Sequence, residues 1–166
     1  MAETTARAWV AEPAEAEIVA GLLVEFRDHN GHDWPSPNSF LASVERLIEQ
    51  RDTEFLLGTP HDDSPPAGVC QLRYRHSVWK ATDDCWLEDL FVRDAARGAG
   101  LGSALVSLAV ERARTRGCRR VELDTNEGNE AALELYRRLG FSDRSKSPDA
   151  PGRDLFLGIA VEQPED

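Results

Sequence analysis

The chain has 166 residues, 41% hydrophobic and 30% charged, with 30 Asp and Glu against 19 Lys and Arg for a net charge of −11. That size and mixture suit one soluble domain, residues 1–166, built on a single core. The acid excess argues against nucleic acid as a partner, since that binding is driven by neutralising phosphates, and no apolar run is long enough to cross a bilayer.

Taken in chain order, residues 7–11 read as a first strand. Pro13 with Glu12, Glu15 and Glu17 then opens a helix whose stripe Ile18, Leu22, Val24, Phe26 runs to about Asp28. Residues 29–37 form a turn-rich loop; His29, His32 and Asp33 have metal-like composition there, but a solvated loop is the expectation and no metal is assigned. Residues 39–50 are a second helix with Phe40, Leu41, Val44, Leu47 and Ile48 on one face. Residues 54–57 make a short strand, and the prolines and charges of residues 59–66 an exposed loop. Alternation over residues 68–75 suits a strand with one buried face, whereas residues 86–92, nearly all apolar, read as a central strand. A helix is expected over residues 101–116, stopped by Gly117, then a buried strand over 120–125. Asn129 or a neighbour caps a helix over 130–139, Gly140 ends it, and Phe141 with residues 154–160 supplies closing strands. Cys70, Cys85 and Cys118 are odd in number and widely spaced, which points to buried free thiols. The polar opening Met1-Ala-Glu-Thr-Thr5 is unlike a signal peptide, so a cytoplasmic location is expected.

The most informative run is Arg97-Gly98-Ala99-Gly100-Leu101-Gly102, placed between a strand and a helix. A glycine-rich turn opening a helix gives close backbone approach, N–H groups without intrahelical partners and the positive end of a helix dipole, which together favour an anion, most often phosphate. It is not a P-loop, because no Gly-Lys-Ser/Thr follows, and its spacing departs from the dinucleotide fingerprint. Charge is uneven along the chain. Residues 1–66 carry 13 acids and 4 bases, residues 67–166 carry 17 and 15, so −9 of the net charge precedes the motif. That division suits an anionic ligand on one side of a cleft and a cationic one on the other, or serves solubility alone.

Together with Val121-Glu-Leu-Asp-Thr-Asn-Glu-Gly-Asn129-Glu-Ala-Ala-Leu-Glu-Leu-Tyr136-Arg-Arg-Leu-Gly-Phe141, the glycine run resembles the GCN5-related N-acetyltransferase (GNAT) superfamily. The signature there is Arg/Gln-x-x-Gly-x-Gly/Ala after the fourth strand, then a strand, an Asn and a helix ending Leu-Tyr-x-x-x-Gly-Phe. The close motifs cover residues 85–141, about a third of the chain. The resemblance implies an α/β (α+β) fold, a mixed, mostly antiparallel sheet of six to seven strands flanked by about four helices. It also implies acetyl-CoA as acyl donor, held by the backbone of Arg97, Gly98, Ala99, Gly100, Leu101 and Gly102, with Ser103 adding a hydroxyl. Leu90, Phe91 and Val92 would meet the pantetheine arm through backbone groups, the Val92 N–H facing the oxyanion. Asn129 matches the family Asn that steadies that arm, and is equally read as a helix cap. Tyr136 matches the phenol near the thioester sulfur, the general acid, and also falls on the apolar stripe Ala132, Leu135, Tyr136, Leu139.

Leu87-Glu88-Asp89-Leu90-Phe91-Val92 further resembles the polyamine-type members, in which this glutamate deprotonates the amine through water, making Glu88 the candidate base. Its alternative is a structural ion pair with an arginine. In a regular strand Glu88 and Asp89 point to opposite faces, so a bulge decides which one meets the cleft. No Cys sits beside a His or opens a helix, which favours direct transfer in a ternary complex over a covalent cysteine route. The implied acceptor is the primary amine of a small cationic molecule. A peptide or protein amine and a non-catalytic CoA-binding module are the alternatives, and dimerisation is left open.

Overall fold

The computed structural model describes residues 5–144, 149, 152–161 and 163. The elements run β1 (Arg7–Val10), α1 (Ala16–His29), α2 (Pro37–Ile48), β2 (Thr53–Thr59), β3 (Gly68–Ser77), β4 (Thr82–Val92), α3 (Leu101–Thr115), β5 (Val121–Glu122) and α4 (Glu130–Arg138), with short 3-10 turns at Pro13–Glu15 and Asp94–Ala96. Internal contacts divide the chain into two compact units, Met1–Leu123 and Asp124–Asp166.

In the first unit the sheet order is β1-β2-β3-β4-β5. The first three pairings are antiparallel and β4–β5 is parallel, so the sheet is mixed. It has five strands among the described residues, not six to seven. Residues 154–160 form no strand, and the nearest pairing is a single bridge between Arg144 and Arg153. Leu155-Phe156-Leu157 is apolar without alternation and lies exposed, so nothing in the pattern fixes one face inward or one register. Likewise the strand expected over residues 120–125 shortens to Val121–Glu122, which pairs only with Cys85 and Trp86.

The two faces of the sheet carry different helices. On one, α1 and α2 bury Val19, Ala20, Leu23 and Val44 against Phe55, Leu57, Val69 and Phe91. The inward stripe of α1 lies beside the one read from sequence: Val19, Leu22 and Leu23 are buried and Ile18 is exposed. Helix α2 starts two residues early because Pro37 takes its first turn and Ser36 Oγ accepts from the Ser39 N–H at 3.2 Å. Strand β3 is buried on both faces from Gly68 to Leu72, as the middle of a five-strand sheet requires, rather than on one.

On the other face lies α3, held at both ends. Near its start, Gly58 and Gly68 pair across the β2–β3 ladder. A Cβ built on Gly58 would stand 2.5 Å from Leu101 Cδ1, and one on Gly68 2.9 Å from Leu105 Cδ1, so only glycines admit the helix this close. At the far end Arg112 grips Glu54 with two hydrogen bonds of 2.9 Å, while Arg116 stacks on the Tyr74 ring at 3.7 Å and donates to the Arg51 carbonyl. The helix is thereby fixed lengthwise over the sheet, which sets the position of its N-terminus.

The second unit contains α4. Asn129 caps it, its side-chain oxygen accepting from the Ala132 N–H at 3.3 Å, and Tyr136 is its buried residue, with its ring 5.7 Å from that of Phe141. No helix of the described residues is long and apolar enough to cross a membrane.

Candidate active site

Strand β4 leads into the glycine turn, and two features of it decide what can happen there. The first is a bulge. Val69 pairs with Phe91 and Gln71 with Glu88, so Cys70 alone stands opposite Asp89 and Leu90. Asp89 takes the extra step with φ 55°, a left-handed conformation that Asp tolerates better than most residues. The bulge resets the alternation. Cys85 and Leu87, before it, lie opposite Tyr74 and Leu72 on the α3 face. Phe91, four residues after Leu87, instead turns to α1 and stacks on Phe26 at 5.3 Å. Glu88 is therefore aligned with Gln71 on the face away from α3, and Asp89 lies exposed at the kink.

The second feature is the parting of β4 from β5. The Arg93 N–H donates to the Ala67 carbonyl at 2.9 Å, so the antiparallel alternation turns the neighbouring Val92 backbone groups away from β3. Pairing with β5 ends at Trp86, leaving Val92 outside that ladder. Its carbonyl accepts from Arg97 Nε at 3.2 Å. Arg93 in turn binds Glu25 of α1 through Nε and Nη2, at 2.9 and 2.8 Å, clamping the end of β4 to that helix. Nothing in the sequence singled out this pair, whose members lie 68 residues apart.

The turn itself leaves backbone donors unused. Gly98 and Gly100 have φ of 81° and 80°, and a Cβ on either would meet nothing within 4 Å. These glycines thus serve conformation and leave open space in front of the backbone. Among the described residues no backbone carbonyl accepts from the N–H groups of Gly98, Ala99, Gly100, Leu101 or Gly102. Five donors without backbone acceptors, at the positive end of α3, could hold a diphosphate. Arg97 is engaged with Asp94 at 3.1 Å as well as with Val92, so its side chain braces the turn.

Glu88, Leu90, Phe91, Val92 and residues 97–103 thus gather in the first unit, on β4 and the start of α3, whereas Asn129 and Tyr136 belong to the second, on α4. Glu88 lies 3.7 Å from Arg73 Nε, a loose ion pair. Burial pushes the Cys70 thiol far above its ordinary range and the Cys85 thiol up to about 12. Neither is a nucleophile at neutral pH.

Sequence comparison agrees with this architecture. The chain belongs to the acetyltransferase (GNAT) family, whose model matches residues 16–141. It is 32% identical over 87 residues to thialysine N-epsilon-acetyltransferase of Bos taurus, an alignment covering 49% of this chain and 51% of the other. It is 32% identical over 135 residues to mycothiol acetyltransferase of Beutenbergia cavernae, covering 77% of this chain and 42% of that one. The chain thus spans about half the length, or less, of these relatives. A solved protein of Arthrobacter sp. FB24, assigned to the acetyltransferases, superposes with a TM-score of 0.81 at 27% identity, covering 93% of this chain and 95% of that one.

Proposed function

We propose that the protein is an N-acetyltransferase moving an acetyl group from acetyl-CoA to the primary amine of a small cationic acceptor. The observation that carries this reading is the row of N–H groups from Gly98 to Gly102 at the start of α3, without backbone acceptors among the described residues. Acetyl-CoA, when bound, supplies the activated thioester. The chain's part is to hold the diphosphate at Gly98–Gly102, with Ser103 adding its hydroxyl, and to lay the pantetheine along the backbone of Leu90, Phe91 and Val92. The Val92 N–H donates to the thioester carbonyl oxygen as negative charge develops there.

Glu88 is the group to take the proton that the attacking amine loses. A carboxylate is a weak base for an ammonium, so the amine must lose its proton through water or a shifted equilibrium. By resemblance, Asn129 steadies the arm and Tyr136 returns a proton to the departing thiolate, the C–N bond forming as the C–S bond breaks. The raised thiols of Cys70 and Cys85 support direct attack over an acyl-cysteine route. The acid-rich first 66 residues support a cationic acceptor, and the thialysine named for the Bos taurus relative is itself an amine of that kind.

The test is a panel of amines, amino acids and peptides incubated with acetyl-CoA and followed by release of free thiol. Amine-dependent release with a small cation as best acceptor supports the reading. Tight CoA binding with no amine-dependent release would instead mark a CoA-binding module, and preference for peptides a protein-directed enzyme.

A further inference from the structure

Val92 stands between two neighbours that are both tied to α1. On one side the Phe91 ring stacks on Phe26 at 5.3 Å, with the His29 ring at 6.0 Å. On the other, Arg93 binds Glu25, the residue next to Phe26. Its Nε lies 3.0 and 2.9 Å from the two carboxylate oxygens, and its Nη2 2.8 Å from the second of them. The Arg93 Nη1 donates to the Pro66 carbonyl at 3.3 Å, and its backbone N–H to the Ala67 carbonyl at 2.9 Å. One arginine thereby joins α1, the β2–β3 connection and the end of β4.

The pair is better placed to give direction than stability. The Arg93 and Glu25 side chains are 39% and 43% exposed, and an ion pair so open to water contributes little to folding. A planar fork meeting a planar carboxylate does fix orientation. The Val92 N–H lies in the peptide that Phe91 begins, and the Val92 carbonyl in the peptide that Arg93 closes. Holding both neighbours therefore holds both planes. A donor to developing negative charge is effective only when its direction is set beforehand. We infer that Glu25 and Arg93 form a positioning pair that aims the Val92 N–H at the thioester oxygen, so that α1 sets the geometry of acyl transfer. This rests on the acetyl-transfer reading, which makes Val92 the donor. Because the Glu25 carboxylate is held by the guanidinium, it acts through Arg93 and not as a contact for the cationic acceptor.

The test follows thiol release from acetyl-CoA with cadaverine as acceptor in wild type, Arg93→Met, Glu25→Gln and the double variant. Thermal midpoints and amide hydrogen exchange of Arg93 are read on each protein. Either single variant is expected to lower kcat about 10-fold or more at unchanged KM for acetyl-CoA. Midpoints should stay within about 4 °C of wild type, and the Arg93 amide should exchange faster. The double variant should be no slower than the worse single one, because the two residues act as a unit. Unchanged kcat, or a loss of kcat that only follows the midpoint, would overturn the assignment. So would a raised KM for cadaverine in Glu25→Gln alone, which would make Glu25 an acceptor contact. If wild type transfers nothing to cadaverine, the acetyl-transfer reading fails for that acceptor and amide exchange decides the pair. Faster Arg93 exchange in both variants would then sustain it, and unchanged exchange would overturn it.

Discussion

Gly58 and Gly68 face each other across the β2–β3 ladder directly beneath Leu101, the first residue of α3. Their missing side chains set the depth at which the helix start, and with it the N–H cradle, rests on the sheet. Gly58→Ala places a methyl 2.5 Å from Leu101 Cδ1 and 3.2 Å from the Arg7 carbonyl oxygen, in a site where Leu101 is fully buried. The expected loss is about 1–3 kcal/mol in urea unfolding. Acetyl-CoA affinity should fall as well, because the displaced helix carries its N-terminus with it.

Asp89 tests the bulge. Its φ of 55° suits Gly or Asn and penalises a β-branched residue. Asp89→Gly should leave stability within about 1 kcal/mol of wild type, whereas Asp89→Val should cost about 1–3 kcal/mol. Asp89→Val should also lower kcat/KM, since relaxing the bulge shifts Glu88 relative to Val92. Equal activity in the two folded variants would detach the bulge from the chemistry.

Much of this arrangement could be read before any coordinates. The helix α3 and the glycine turn were legible because Gly98, Gly100 and Gly102 carry their conformational meaning locally, and the elements from β1 through α4 follow from hydrophobic period and caps. The bulge was legible only as a question, because Leu87-Glu88-Asp89-Leu90 has no glycine to announce it and its register depends on β3. Gln71, Arg73 and the Arg93–Glu25 clamp were invisible for the same reason: each acquires its meaning from a partner distant in sequence. The closing strands failed because Leu155-Phe156-Leu157 signals apolarity without a face. Asn129 does cap α4 and Tyr136 does pack in it, as the cap position and the apolar stripe indicate.

Tyr136→Phe separates packing from proton transfer. The ring, 8% exposed and against Phe141, is kept while the hydroxyl is lost. The acid role predicts a fall in kcat of about 10²–10⁴ with the thermal midpoint little changed. Turnover near wild type would assign Tyr136 to packing alone.

Alkaline pH should weaken the fold through its buried acids. Burial raises the Cys85 thiol from about 9 to about 12, and it holds the Cys70 thiol and the Tyr74 phenol above their ordinary values. Above about pH 9 the unfolded chain loses thiol protons that the folded Cys85 retains. The unfolded state then binds fewer protons, and stability falls as pH rises from there toward 12. The thermal midpoint should drop steadily across that window and drop less in Cys85→Ala. A flat profile would mean that these groups are reachable by water in the folded protein.

Calorimetric titration of acetyl-CoA into wild type and Gly100→Val tests whether the glycine turn holds the cofactor. Gly100 has φ 80° and a Cβ there would meet no protein atom within 4 Å, so valine both strains the turn and enters the open space in which the proposal seats the diphosphate. Saturable binding to wild type is expected, with a loss of about 100-fold or more in the variant and no change in its circular dichroism spectrum. Equal affinity of the two folded proteins for acetyl-CoA would contradict it.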